Sequence, residues 1–444
     1  MTYSFLTSST SSSPQSSPIP GRQSEMVQGR SGGYGFTADT WSMLRRYLLL
    51  GTSNGSYYAD RRELSEEFVE AVKAVIAENP ERVSQEIVYA SDGHSVSNSA
   101  PILALVLLSM GESAAAKRAF EEVFPLVIRT ASHFYEWLRY TKDLRGMGKI
   151  VRSCGEKWLS NPDVKWLAYQ LLKYGQRHGF SRRDLLRLFH VRPPSKEHQC
   201  LYHWAVGGWN GFPPEPPCEE MTQIWWHERL KHPMVHDQDL TLEAIAQGRL
   251  THEMVAPIGN MNCDAWQLLF EDMPIGATLR NLGSLSEIGV LRFDQIKNLD
   301  ILERRLLDKK RARKARIHPL NILSASKVYA SGGRLGRSQK TWSPVSRIMD
   351  ILEKMLENSF EFQEPTGKVF LHAIDVSGSM QWSPLPTSGL TCSEIAATLA
   401  LATAKVERNY AIRGFSNRFI DLEITSQDSF RSALNKVAHP YGST

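Results

Sequence analysis

The sequence NPDVKWLAYQLLKYGQRHGFSRRDLLRLFHVR occupies residues 161–192 and is the most informative stretch of the chain. Asn161 is suited to the N-cap of a helix, and the apolar residues after it recur at helical spacing. Gly179 is suited to the C-terminal cap. Ser181, with Asp184 three residues later, has the capping-box pattern. The stretch therefore predicts two short amphipathic helices joined at a glycine.

Each predicted helix has a polar face opposite its apolar stripe, with residues spaced three and four apart. These faces carry Trp166, Tyr169, Lys173 and Arg177 on the first helix, and Arg183, Arg187 and His190 on the second. Phosphates attract cations, and unpaired bases stack on aromatic rings. The pattern thus favours nucleic-acid binding. The alternative is a solvated charged surface over an ordinary core, which is a common arrangement.

The composition bounds the kinds of protein that the chain can be. Its 444 residues are enough for two or three domains, and 42% are hydrophobic. The net charge is only +5, so a nucleic-acid surface must be a local patch. Five cysteines without a CxxC pair argue against a disulfide framework or zinc knuckle and favour a reducing compartment. We expect a cytoplasmic protein, with the nucleus as a second location, and no membrane span.

Two regions precede a change of pattern near residue 364. Residues 1–33 are rich in serine and proline, lack apolar periodicity, and are predicted to be disordered. Residues 34–363 form a succession of helix-length amphipathic segments divided by glycine, proline and asparagine signals. Such a succession predicts a mainly α module of stacked helix pairs of the HEAT or armadillo kind, and a strongly curved stack can close into a ring.

A second basic region lies inside this module, between Lys309 and Arg347. It contains eleven lysines and arginines and no acidic residue. We interpret it as a region that adds electrostatic attraction for phosphates. A solvated run and a localisation signal are the alternatives.

Residues 364–444 predict the beginning of an α/β domain. The segment KVFLHAIDVS is nearly continuous in apolar residues, as expected of a parallel strand covered on both faces. A helix at about 392–407, strands at NYAIRGFS and FIDLEI, and a helix at DSFRSALNKV follow. Strand–helix–strand order indicates a doubly wound fold.

The segment DVSGS at the end of the first strand carries the most specific chemistry. Asp375, Ser377 and Ser379 place a carboxylate and two hydroxyls at the sheet edge where open α/β folds bind ligands. Such oxygen donors suit Mg²⁺ or Mn²⁺. The alternative is an ordinary Asp-Ser turn. Since no Ser-His-Asp or Cys-His set stands out, we predict a binding protein rather than an enzyme.

Several long stretches together resemble a known family. They are LRRYLLLGTSNGSYY, KYGQRHGFSRRDLLRLFHVRP, MPIGATLRNLGSLS, RKARIHPLNIL and EPTGKVFLHAIDVSGSM. The chain resembles the Ro (SS-A) autoantigen ribonucleoprotein family, whose members join a TROVE module to a von Willebrand factor A domain. The resemblance implies a ring of HEAT-like helical repeats over 34–363, closed by the A domain, of which 364–444 would be the first part.

The resemblance also implies a function in RNA quality control and the stress response. Members bind small noncoding Y RNA on a basic outer surface, and the 3′ single-stranded ends of misfolded structured RNAs pass into a central hole. Lys173, Arg177 and His190 match the family's RNA-contacting positions. Arg183 and Arg187 share the same predicted face and join them as expected RNA-binding residues.

The family's metal-ion-dependent adhesion site matches Asp375, Ser377 and Ser379, and its later threonine matches Thr444. A full A domain would continue for about a hundred further residues, including a third metal loop that this sequence lacks. We therefore expect a weakly held divalent cation, Mg²⁺ or Mn²⁺, and a poorly stable segment over 366–444.

A second function stays open at this point. Helical repeats joined to a metal-dependent adhesion module would also serve as a protein-interaction scaffold, with protein partners captured through the A domain. RNA binding should weaken steeply with salt, whereas carboxylate capture should be lost with a chelator. The identity of the RNA and the oligomeric state do not follow from the sequence.

Overall fold

The structure is a computed structural model that describes residues 16–28, 32–37, 39–50, 66–95, 97–209, 211–231, 238–333, 335, 340–362, 364–382, 389–416 and 419–438. The chain divides into two compact units, Met1–Met221 and Thr222–Thr444. Across the described ranges, no helix is both long enough and apolar enough to cross a membrane.

The first unit consists of short helices and two small hairpins. Its elements are β1 Met26–Gln28, β2 Tyr34–Phe36, α1 Thr40–Leu50, α2 Glu66–Glu78, α3 Pro80–Tyr89, α4 Ser99–Ser109, α5 Ala114–Val127, α6 Ala131–Leu144, α7 Lys149–Leu159, α8 Val164–Lys173, β3 Gln176–Arg177, β4 Phe180–Ser181, α9 Arg182–Phe189 and α10 Lys196–Gly207. A π turn, Ala90–His94, follows α3, and a 3-10 turn, Glu219–Met221, ends the unit.

The centre of the first unit is α4, whose sequence SAPILALVLLS is almost entirely apolar. Ten of its eleven residues are buried. Helices α3, α5 and α6 pack against it, and later helices contact those one or two places away in the chain. Such neighbour contacts are typical of stacked helices. The mainly α prediction is confirmed, while the HEAT type and the ring stay predictions.

The end of the segment predicted to be disordered is in fact ordered. Strands β1 and β2 pair antiparallel, with Met26 opposite Phe36. Arg22 forms an ion pair with Glu25, and its guanidinium lies 4.3 Å from the centre of the Phe36 ring. The sequence reading missed this hairpin because it relied on apolar periodicity, whereas the hairpin is held by a few local contacts. Residues 1–15 lie outside the described residues.

An aromatic cluster attaches α9 to α6 and α7. The ring centre of Phe134 lies 4.6 Å from that of Trp158 and 5.4 Å from that of Phe189. Phe134 and Trp137 are fully buried, and their ring centres are 5.3 Å apart. Since Phe189 is on α9, this core fixes the helix whose outer face carries the predicted RNA-binding arginines.

The second unit is helical at first and ends in a small sheet. Its elements are α11 Thr222–Leu230, α12 Gln238–Gly248, α13 His252–Val255, α14 Cys263–Asp272, α15 Ile275–Glu287, α16 Ile296–Leu306, α17 Lys309–Lys314, α18 Pro319–Ala330, α19 Ser346–Ser359, β5 Val369–Asp375, α20 Ser379–Trp382, α21 Cys392–Val406, β6 Asn409–Phe415, β7 Phe419–Asp421 and α22 Phe430–Ala438.

The sheet has the order β5-β6-β7. Strands β5 and β6 are parallel, with Val369 opposite Asn409 and Asp375 opposite Phe415. Helix α21 is the crossover between them and packs against both, while β7 runs antiparallel to β6. This arrangement confirms the prediction of α/β strand–helix–strand order in this part of the chain.

The prediction that β5 is covered on both faces is wrong. Val369 is 66% exposed and Leu371 is 62% exposed, whereas Ile374 is buried. Helix α21 covers the opposite face, where His372 Nε2 lies 2.9 Å from Thr403 Oγ1. The described elements cover only the face that carries His372, so the alternate residues Val369 and Leu371 face solvent.

Candidate nucleic-acid interface

Helix α8 is shorter at both ends than the helix that the sequence predicted. Its N-cap is Asp163, whose side chain accepts a hydrogen bond from Trp166 N at 2.9 Å. Asn161, the predicted cap, instead accepts a bond from the backbone of Asp163. The helix ends at Lys173, because Tyr174 leaves helical geometry with φ −117° and ψ 56°.

A tight hairpin replaces the predicted last turn of this helix. Its two loop residues are His178 and Gly179, with φ of 51° and 80°. Two successive positive φ values are typical of a type I′ turn, which favours glycine at the second place. The turn pairs Arg177 with Phe180. Arg177 therefore lies on a strand, and the prediction that it shares a helix face with Lys173 is wrong.

Helix α9 begins with the capping box that the sequence predicted. Asp184 Oδ2 accepts a hydrogen bond from Ser181 N at 2.7 Å, and Ser181 Oγ accepts one from Asp184 N at 3.3 Å. The bonds from Ser181, helped by the nearby charges of Arg187 and Arg183, hold the pKa of Asp184 below its usual range. The Asp184 carboxylate is thus engaged in hydrogen bonds that cap the start of α9.

The cations of this region differ in exposure. Arg177, Arg183, Arg187 and His190 are exposed, and His190 has the left-handed backbone of a C-cap at φ 49°. Within the described residues, none of the three arginines forms an ion pair with a carboxylate. Lys173 is half-buried: its Nζ donates to Tyr169 Oη at 3.0 Å.

The structure adds Lys142, which the sequence did not single out. This exposed lysine is on α6, and its Nζ lies 5.6 Å from the centre of the Phe180 ring. Because Phe180 is paired with Arg177, the structure brings Lys142 and Arg177 to the same hairpin. No local pattern could have shown this, because the contact joins residues almost forty positions apart. We define the basic cluster as Lys142, Lys173, Arg177, Arg183, Arg187 and His190.

Two other residues of the stretch turn toward the interior. Trp166, predicted on the polar face, is half-buried, and its ring centre lies 5.2 Å from that of Trp158. Arg182 places its guanidinium 3.8 Å from the centre of the Trp204 ring, on α10. These two side chains hold the helices together and leave the outer surface to the basic cluster.

In the folded chain, ion pairs neutralise many of the cations of the second basic region, 309–347. Acids from outside the run pair with many of its cations. These ion pairs are Lys309–Glu361, Arg311–Asp308, Arg313–Glu364, Lys327–Glu394, Lys340–Glu287 and Arg347 with Asp300 and Glu303. Because neutralised cations attract phosphate weakly, the first unit is the stronger candidate for an RNA surface.

The loop after β5 gathers three oxygen-bearing side chains. Asp375 Oδ1 accepts a hydrogen bond from Ser377 N at 2.8 Å, and Ser377 Oγ lies 2.9 Å from Ser379 Oγ. Ser377 is buried at 3% exposure. Hard oxygen donors held this closely fit part of the ligand set of a divalent cation. Thr444, the fourth predicted ligand, lies outside the described residues.

Comparison with known proteins assigns both parts of the chain. A family model described as the TROVE domain matches residues 27–206 and 251–372, and one described as the Ro60 vWA domain matches residues 369–444. The chain belongs to the Ro family of TROVE-domain proteins.

Relatives in the Ro family match over most of the chain. The "RNA-binding protein RO60" of Deinococcus radiodurans is 28% identical over 428 residues, covering 96% of this chain and 78% of the relative. The protein of the same name from Caenorhabditis elegans is 27% identical over 473 residues, covering 90% and 73%. The crystal structure of the Deinococcus radiodurans RO (RSR) protein superposes with a TM-score of 0.77 at 27% identity, covering 92% of this chain and 80% of that one.

Proposed function

We propose that this chain is a non-catalytic RNA-binding protein that holds RNA phosphates on its basic cluster. The observation that carries the proposal is the exposure of Arg177, Arg183 and Arg187 without ion-pair partners within the described residues. Asp184, the nearby acid, is engaged by Ser181 at the start of α9. Cations left unpaired in this way attract a polyanion, and guanidinium groups suit phosphate.

Membership of the Ro family supports the same proposal. Both named relatives are called RNA-binding proteins, and the TROVE match covers the basic cluster. The RNA that we propose is a Y-type small noncoding RNA, bound through Lys173, Arg177 and His190. We further propose that 3′ single-stranded ends of misfolded RNAs bind in the central hole that the family resemblance implies, for RNA quality control in the cytoplasm and nucleus.

A divalent cation at the A-domain loop is a second part of the proposal. Asp375, Ser377 and Ser379 would hold Mg²⁺ or Mn²⁺, and a bound cation would offer an open position to a carboxylate of a protein partner. The bond from the Ser377 backbone N–H to Asp375 Oδ1 and the contact between the Ser377 and Ser379 hydroxyls support a prearranged set of oxygen ligands. The contribution of this loop is to recruit a partner, independently of RNA.

The decisive experiment is an equilibrium titration with a hairpin RNA that has a single-stranded 3′ tail. The full chain is compared with the Lys173→Ala/Arg177→Ala double variant at 50 and 200 mM salt. The matched control is Lys309→Ala/Arg313→Ala, which removes the same charge from ion-paired positions in the second unit.

RNA binding at the basic cluster predicts tight, salt-sensitive binding that weakens at least tenfold in the Lys173→Ala/Arg177→Ala variant and changes little in the control. A larger loss in the control variant would move the site to the second basic region and contradict our assignment. If wild type binds no RNA at 50 mM salt, while a carboxylate-bearing protein partner binds in a chelator-sensitive manner, the interaction-scaffold hypothesis replaces the RNA proposal.

A further inference from the structure

A pocket lies immediately beyond the basic cluster in the first unit. It occupies about 440 Å³ between α10 and the loop that follows His190. Its lining residues are Val191, Pro193, Gln199, Tyr202, His203, Val206, Gly207 and Gly208. A water molecule needs about 10–15 Å³ of such space, so this pocket is large enough for a planar organic group.

The helical wall of the pocket follows from residue spacing. Gln199, Tyr202, His203 and Val206 stand at positions i, i+3, i+4 and i+7 of α10 and therefore share one face. The Tyr202 hydroxyl donates to the carbonyl oxygen of Leu159 at 2.8 Å, which fixes its ring. One wall of the pocket is thus a rigid helix face.

Two polar groups of this wall are available to a ligand. The side-chain amide of Gln199 and the imidazole of His203 are exposed, and neither has a hydrogen-bond partner in the described part of the chain. The amide offers a donor and an acceptor side by side, and the imidazole adds a flat ring with a further polar atom. Val206 on the same wall, and Val191 and Pro193 on the loop opposite it in the lining, are apolar.

The rim of the pocket is open because two of its residues are glycines, which have no side chain. A Cβ atom added at Gly207 or Gly208 would meet no other atom within 4 Å. Gly207 is the last residue of α10, whereas Gly208 has a φ of 72°. Gly207 lines the pocket and its φ is not positive, so a larger side chain there changes the lining with neither backbone strain nor a collision at Cβ.

We propose that this pocket receives one unpaired nucleobase of the RNA that the basic cluster holds, with adenine as the preferred base. The inference rests on the proposed function. Arg187 and His190 directly precede the loop that lines the pocket, so a backbone held by them can turn a base inward. Single-stranded RNA is recognised in this way, through splayed bases that stack and are read along their edges. The Gln199 amide matches the N6 and N7 atoms of adenine.

The test uses the full chain and two hairpin RNAs with identical stems. One has a single-stranded 3′ tail of adenosines, and the other has the same tail with abasic sites. The pocket lining is altered by Gly207→Leu. The matched control is Ala114→Leu, which adds the same side chain at an exposed position at the start of α5.

A base in the pocket predicts that Gly207→Leu weakens binding of the adenosine RNA about tenfold, within the range of one base contact. Binding of the abasic RNA should stay the same, and Ala114→Leu should affect neither. Unchanged binding of the adenosine RNA by Gly207→Leu would overturn the proposal, as would an equal loss with both RNAs.

Gln199→Leu keeps the test decisive if circular dichroism shows that Gly207→Leu is misfolded. Wild type should bind an adenosine tail several-fold more tightly than a 7-deazaadenosine tail, which lacks the N7 acceptor, and Gln199→Leu should remove this preference. The absence of any preference in wild type would refute the pocket assignment. If wild type binds neither RNA at low salt, the proposed function itself fails, which distinguishes the two results.

Discussion

The ring of Phe189 occupies the space where a side chain on Gly155 would begin. A Cβ built on Gly155 would lie 2.1 Å from Phe189 Cε1 and 2.4 Å from Cδ1. Gly155 stands inside α7, where glycine is unfavourable by about 1 kcal/mol relative to alanine. The close approach of α9 to α7 depends on this glycine, and α9 carries Arg183 and Arg187.

Gly155→Ala should therefore destabilise the first unit and weaken RNA binding. Overpacking a core of this kind costs about 1–3 kcal/mol, which outweighs the gain in helix propensity. Chemical denaturation measures the loss, and an RNA titration shows the effect on the displaced α9. The control is Gly276→Ala on α15, where an added Cβ would make only ordinary contacts, the nearest at 3.6 Å from Arg280. Equal stability of the two variants would show that Phe189 relaxes freely.

The second prediction concerns Lys142, the cation that only the structure places beside the hairpin. Lys142→Ala should lower RNA affinity several-fold, because one phosphate contact is removed. The slope of log affinity against log salt concentration should fall by about one. Stability should not change, because the side chain is exposed. Lys149→Ala, at the exposed start of α7, is the control. A salt slope equal to that of wild type would exclude Lys142 from the interface.

The difference between sequence and structure is clearest at Arg177. Spacing correctly predicted two helices, their apolar stripes and the capping box of Ser181 and Asp184. It extended the first helix to Gly179, because a period of three to four residues does not distinguish a helix end from a two-residue hairpin. The left-handed geometry of His178 and Gly179 supplies that distinction. The ion pairs of 309–347 could not be predicted from its sequence either, since the acidic partners come from outside the run.

A third prediction concerns Arg305, which is only 7% exposed and donates to the carbonyl oxygens of Phe270 and Met273. These bonds satisfy carbonyls at the end of α14, and desolvation lowers the pKa of the guanidinium. Arg305→Met should destabilise the second unit by about 2–3 kcal/mol, because two buried acceptors lose their donors. The adjacent exposed Arg304→Met is the matched control. Thermal unfolding that shifts equally in both variants would contradict the capping role.

The A-domain segment shows how far strand patterns can be trusted. The order β5, α21, β6 and the position of the DVSGS loop followed from alternation of strand and helix signals. The exposure of Val369 and Leu371 did not, because a continuous apolar run describes the residues of a strand and says nothing about which neighbours cover them. Burial of that face depends on tertiary packing, which a single strand sequence does not encode.

The pH dependence of the same segment centres on Asp428, whose side chain is 10% exposed. Desolvation opposes its ionisation, but hydrogen bonds from Lys436, Ser432 and the Thr425 backbone prevail and lower its pKa to about 2. Lys436 Nζ lies 2.8 Å from Asp428 Oδ1 and 2.9 Å from Oδ2. In the unfolded chain the pKa is about 3.9. The folded state therefore gains stability above pH 4 and loses it progressively as the pH falls toward 2.

Asp428→Asn should remove this contribution, which is about 2 kcal/mol at neutral pH. Hydrogen exchange of residues 419–438 in the full chain measures it locally. The wild-type advantage should be constant between pH 5 and 7 and shrink below pH 4, where wild-type Asp428 also becomes protonated. The more exposed Asp421→Asn should change protection by less than about 1 kcal/mol, since surface ion pairs contribute little. A wild-type advantage that persists undiminished at pH 2.5 would show that the Asp428 carboxylate is not what stabilises α22.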